Sequence, residues 1–181
     1  MKNLIKPRWK AWSTAFVVVI AFAGQSVAMG PGGKSSHHPG NFAGGIVLGE
    51  PTGLSGKLWT DSEHAIDMGL AFSVNDYVLF FADYLMHYPG GFGHSSEFIS
   101  RVNPYVGVGA VMAFSSSKKY NNTFFGTSSN SVGLGVRVPL GAEWRPSDGR
   151  IGVFAEFVPG ISVTPATAML IWGGVGIRYY F

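Results

Sequence analysis

The chain has 181 residues, of which 46% are hydrophobic and only 13% charged, with 26 glycines and no cysteine. Without cysteine it has neither disulfides nor thiolate metal sites. Its formal charge of +3 is no argument for nucleic acid, because four of the 13 Lys and Arg fall in the first 28 residues, and the remaining 9 face 10 Asp and Glu for a net −1.

Residues 1–28 read as a secretory signal peptide. Lys2, Lys6, Arg8 and Lys10 form a positive start, residues 15–23 form an apolar core, and Ser26-Val27-Ala28 fits a small-x-small cleavage pattern. A nine-residue core is too short to span a bilayer as a helix, which disfavours an N-terminal anchor. Residues 29–40 are rich in Gly, Pro, Ser and His, lack periodicity and read as a flexible mature N-terminus. His37-His38 has no nearby carboxylate and is not expected to be a metal site.

Residues 41–181 form one domain in which eight segments alternate with turn signals, at about 41–49, 54–60, 64–73, 77–88, 102–114, 131–144, 151–159 and 169–181. No 3.6-residue pattern persists and no run of 18 apolar residues occurs after Ala28. An even number of strands about ten residues long suits a small transmembrane barrel. The fold expected is all-β, an eight-stranded antiparallel up-and-down barrel.

Alternation assigns the faces, since successive strand side chains point to opposite sides. In the sixth segment Leu134, Val136, Val138 and Leu140 share one face, and Gly133, Gly135, Arg137, Gly141 and Glu143 share the other. In the fourth, Val78, Phe80, Ala82 and Tyr84 oppose Phe81, Asp83 and His87. Charges and glycines travel together, the reverse of a soluble sandwich, where charges face water. The apolar faces are therefore assigned to lipid and the polar faces to a narrow lumen in which glycine makes room for long neighbours. Tyr84, Tyr88, Trp144, Tyr179 and Phe181 then fall near strand ends on the outside, as an aromatic girdle requires. Pro139 cannot donate to the ladder and predicts a bulge in mid-strand. The 89–101 connection is unusually long for the periplasmic side on which strand counting puts it.

The segments GIVLGEPTGLSGKLW (45–59), FADYLMH (81–87), NPYVGVGA (103–110), VRVPLGAEW (136–144) and GGVGIRYYF (173–181) resemble a set of small, mostly uncharacterised outer-membrane β-barrel proteins of Gram-negative bacteria. More broadly the chain resembles eight-stranded barrels of the OmpA and OmpX type. Its last strand, ending on Phe181 with Tyr179 two positions before, resembles the assembly signal of such barrels. The resemblance implies a monomer inserted into the cell outer membrane by the barrel-assembly machinery, among lipids and lipopolysaccharide, with a side-chain-filled lumen.

The expected lumen charges are Lys57, Asp67, Asp83, Arg137, Glu143, Glu156 and Arg178, with His87 beside them. Reflection about Ser62 sets Lys57 opposite Asp67, and a Glu143–Arg178 bridge across Gly152 is also expected. Structural ion pairing accounts for such residues, because an unpaired charge in a narrow lumen is costly. His94-Ser95-Ser96-Glu97 has the residue types of a lipid A deacylase, but the sequence around them does not match that family and the segment falls on the wrong side of the membrane. Lys118, Lys119, Tyr120, Phe124 and Phe125 lie in an expected extracellular loop, read first as a solvated loop and second as one whose lysines contact lipopolysaccharide phosphates and whose aromatics aid adhesion. No Walker, dinucleotide or metal-ligand spacing occurs, so no catalytic residue, metal or cofactor is expected. The function expected is a non-catalytic structural or surface-interaction barrel. A narrow solute channel is the alternative, followed by a lipid A-modifying enzyme and a soluble periplasmic ligand-binding barrel.

Overall fold

The computed structural model describes residues 40–73, 77–115, 124 and 132–181. The signal segment, His37-His38, Lys118, Lys119, Tyr120 and Phe125 lie outside the described residues. The elements are β1 (Phe42–Glu50), β2 (Thr52–Trp59), β3 (His64–Ser73), β4 (Tyr77–His87), α1 (Glu97–Ser100), β5 (Val102–Ser115), β6 (Val132–Arg137), β7 (Leu140–Trp144), β8 (Ile151–Thr164) and β9 (Ala168–Tyr180). Each strand pairs antiparallel with its neighbours, and β1 pairs with β9, so the sheet closes into a barrel.

β6 and β7 are two halves of one stave. Both pair with β5 in the same register, Gly109 opposite Arg137 and Val106 opposite Leu140. The barrel thus has the eight staves expected. The ladder breaks at Val138-Pro139, but no residue is inserted there, which corrects the expected bulge. The Val138 N–H still donates to the Pro159 carbonyl at 2.9 Å and the Gly107 N–H to the Pro139 carbonyl at 2.8 Å. Only the donor that proline lacks is lost. The register shift lies instead between Leu134 and Gly135, where β8 carries Val163 as an extra residue. β8 also runs to Thr164, through part of the stretch expected to be a turn.

The facing expected for the fourth and sixth segments holds. Val136 is 49% exposed on the outside, whereas Arg137 beside it is 2% exposed inside. One rim carries the start of β1, the end of β9, and the 60–63, 88–101 and 145–150 connections. In the first of these, the Asp61 carboxylate accepts the Glu63 and His64 N–H groups at 2.9 Å, and the Glu63 bond above all holds it below the usual carboxylate pKa.

Aromatic rings inside the barrel lie on glycines of the neighbouring stave. A Cβ on Gly176 would fall 2.3 Å from the Phe154 ring, and one on Gly69 2.4 Å from the Phe81 ring. On the outer wall, a Cβ on Gly56 would meet nothing nearer than 3.7 Å. Gly176→Ala is therefore expected to cost about 1–3 kcal/mol through overpacking. Gly56→Ala should stay within about 0.5 kcal/mol of the parent. Urea unfolding of the refolded barrel measures both, and equal effects would contradict the inside–outside assignment.

Candidate functional site: the charged interior

Alternation along β2, β3, β4, β6, β7, β8 and β9 sends Lys57, Asp67, Asp83, His87, Arg137, Glu143, Glu156 and Arg178 into the same interior. Seven are buried and Glu156 is nearly so. Three groups form, each spanning several staves.

The first group centres on Glu143. Its carboxylate accepts the Lys57 ammonium and the Tyr180 hydroxyl. Arg145 Nε lies 3.8 Å away and Arg178 Nη1 4.0 Å away. Lys57 Nζ also sits 2.8 Å from His87 Nε2. An ammonium can only donate, so His87 Nε2 accepts and the imidazole proton sits on Nδ1. Aromatic faces complete this end. Lys57 Nζ lies 4.5 Å from the Trp59 ring centroid, and Arg145 lies 5.0 Å from Trp59 and 5.1 Å from Tyr180.

The second group joins Arg178 to Asp67. Arg178 Nη2 donates to Asp67 Oδ2 at 2.5 Å and its Nε to Ser55 Oγ at 2.9 Å, while the Ser55 hydroxyl donates to Asp67 Oδ1 at 3.3 Å. The guanidinium stacks on Phe154 at 3.8 Å. In the third group Arg137 lies between Asp83, at 3.2 Å, and Glu156, at 3.7 Å, over the Phe81 ring. The Tyr105 hydroxyl donates to the other Glu156 oxygen at 3.2 Å.

One expected pairing needs correction and another stands. Lys57 and Asp67 are register partners, as reflection about Ser62 requires. Their charges nevertheless part company: Asp67 is held by Arg178 and Ser55, and the longer lysine crosses the lumen to Glu143. The expected Glu143–Arg178 bridge is present, with Arg178 Nη1 4.0 Å from the Glu143 carboxylate. Sequence reading also passed over Ser55, Arg145 and Tyr180. Tyr180 shares a face with Arg178, and Arg145 follows Glu143 by two, so parity was the available signal.

A cavity lined by Glu50, Phe81, Arg137, Glu156 and Trp172 holds about 10 Å³, on the order of one water molecule. The His94–Glu97 run leads into α1. Ser96 Oγ caps α1 by accepting the Ile99 N–H at 3.2 Å, and Glu97 pairs with Arg101 at 2.6 Å, both exposed on the rim.

The fold is an eight-stave, all-antiparallel closed β-barrel. Among solved structures, the crystal structure of the N-terminal β-barrel domain of Pseudomonas aeruginosa OprF is similar to it, with a TM-score of 0.57 at 13% identity over 78% of this chain and 98% of that one. No protein-family model matches the chain, and no curated protein does.

The pairing makes a quantitative claim. Lys57→Met leaves Glu143 short of its nearest cation and is expected to cost about 3–5 kcal/mol. A double-mutant cycle of Lys57→Met with Glu143→Gln should show a coupling of about 0.5–3 kcal/mol. The cycle of Lys57→Met with Asp67→Asn should show a smaller one. Urea titration of the four refolded proteins in each cycle decides it, and stronger coupling to Asp67 would refute the assigned partners.

Proposed function

We propose that the protein is a non-catalytic, monomeric integral barrel of the bacterial outer membrane, with a structural or surface-interaction role and a closed interior. The observation that carries this reading is the inverted surface. Leu54, Leu70, Phe80, Val108, Val136, Phe157 and Ile171 are each exposed by two-fifths or more, on seven consecutive staves, while Lys57, Asp67, Glu143 and Arg178 are nearly inaccessible. A continuous apolar belt of this extent has no stable place in water. In hydrocarbon it is the required surface, and closure leaves no backbone group unpaired at a sheet edge. Strands of 8 to 14 residues, counting β6 and β7 as one stave, suit a tilted crossing. Tyr84, Tyr88 and Tyr179 lie on the outer face near the rim where β1 begins, as interfacial aromatics do.

Export through a signal peptide cleaved after Ala28, insertion by the barrel-assembly machinery and contact with lipopolysaccharide belong to the same proposal. Tyr179 and Phe181 are its assembly residues. The Phe181 ring lies exposed beside Phe42, at 5.9 Å, and Tyr179, at 5.2 Å, on the seam where β9 meets β1. The seven charged lumen residues and His87 act structurally, each held by a partner on another stave rather than presented to a ligand.

Cell fractionation tests the proposal. The protein is expected in outer membranes, with heat-modifiable migration on a gel. Deleting Phe181 should lower the amount of folded protein there. Recovery of the folded wild-type protein in the soluble periplasmic fraction would overturn the reading and favour a ligand carrier.

A further inference from the structure

The 88–101 connection is long for its rim, and its path is unusual. It touches the outer wall at Pro104 of β5 and at Trp144 of β7. The Tyr88 N–H donates to the Pro104 carbonyl at 2.9 Å, and the Arg145 N–H to the Arg101 carbonyl at 3.3 Å, which ties down both ends. Between them, a Cβ on Gly91 would fall 2.8 Å from the outward-facing Pro104 ring. Phe98, on α1, stacks on Trp144 of the outer face with ring centroids 5.7 Å apart. The bend is built in. The Gly91 N–H donates to the Tyr88 carbonyl and the Gly93 N–H to the Gly90 carbonyl. Gly90 and Gly93 have φ of 75° and 80°, which side-chain-bearing residues rarely adopt. The fold thus holds in place a segment whose large apolar side chains, Phe92 and Phe98, are 57% and 62% exposed.

We propose that this connection is a membrane-interface anchor, which seats Phe92 and Phe98 at the headgroup–acyl boundary of the leaflet on the rim where β1 begins and β9 ends. The proposal rests on the outer-membrane reading above. Its surface is continuous with the apolar belt through Pro104 and Trp144, so the solvent that covers the belt covers the anchor too. The polar residues of the segment suit that depth, since amphipathic interfacial segments keep polar groups at headgroup level and aromatics below. Its one acid and one base within α1 and its cap, Glu97 and Arg101, neutralise each other at 2.6 Å. The occupant is therefore a phospholipid surface recognised by its apolar boundary, without need of anionic headgroups.

The chain has no cysteine, so single labels are clean. The mature protein would carry a nitroxide at Phe92→Cys, Phe98→Cys, Val136→Cys or Ser147→Cys, each refolded into phosphatidylcholine vesicles and checked for heat-modifiable migration. Collision with oxygen, which concentrates in lipid, is compared with collision with a water-soluble nickel chelate. Labels at 92 and 98 are expected to favour oxygen at a shallower depth than the label at 136, while 147, in a turn on the same rim, favours nickel. If 136 reports lipid and 92 and 98 match 147, the anchor is refuted and the barrel reading stands. If 136 itself favours nickel, the outer-membrane reading fails and takes the anchor with it. Protection of 92 and 98 from both reagents would assign the surface to contact between copies and refute a lipid occupant. Phe92 stacks on no ring among the described residues, so its label tests the proposal even if replacing Phe98 disturbs folding.

Discussion

Closure of the sheet between β1 and β9 is the constraint on which everything else depends. Eight register pairs, from Ala43–Tyr180 to Glu50–Gly173, join the first strand to the last. They abolish the sheet edge and create an inside. Eight staves enclose a space only about wide enough for side chains. Every charge that alternation sends inward must then find its counter-charge within that space. Lys57 reaches β7, Arg178 reaches β3 and Arg137 reaches β4 and β8, since each is buried and a buried charge without a partner is costly.

The interior is arranged accordingly. Ala43, Trp59, Ala65 and Tyr180 pack together toward the rim where β1 begins. A larger cluster that includes Leu79, Val111, Phe124, Val158, Leu170 and Trp172 fills the opposite end. Glu143 and Arg145 join the first cluster through Tyr180 and Trp59, and Arg137 joins the second through Phe81 and Trp172. The same arrangement guards the register. A slip of one residue in a stave would move its interior charge to the outer wall, and a basic residue in mid-bilayer costs about 2–4 kcal/mol. The network thus favours one arrangement of the staves whatever its net contribution to stability.

Much of this was legible in the sequence because a period of two is hard to disguise when one face is glycine and charge. The facing of Arg137, Glu143, Glu156 and Arg178 followed from parity alone. Parity fixes a face but not a reach. Lys57 and Asp67 are register partners, yet the lysine is long enough to cross the lumen and a guanidinium claims the shorter aspartate. Nothing local to strands β2 and β3 records that choice, because Glu143 and Arg178 lie 86 and 111 residues away in the chain from the groups they bind. Pro139 misled for a related reason. A missing donor was read as an inserted residue, whereas the register passes straight through and the insertion sits on β8 at Val163. The path of the 88–101 connection depends on Gly90 and Gly93 at positive φ and on the outward Pro104 and Trp144, a combination with no periodic signature.

The central claim is that paired charges and packed rings close the interior. Single-channel recording in planar bilayers tests it most directly. The purified, heat-modifiable wild-type barrel is expected to show negligible steady conductance. Large and stable channels from the same preparation would contradict the account, and would mean that the ion-paired interior opens into a continuous aqueous path.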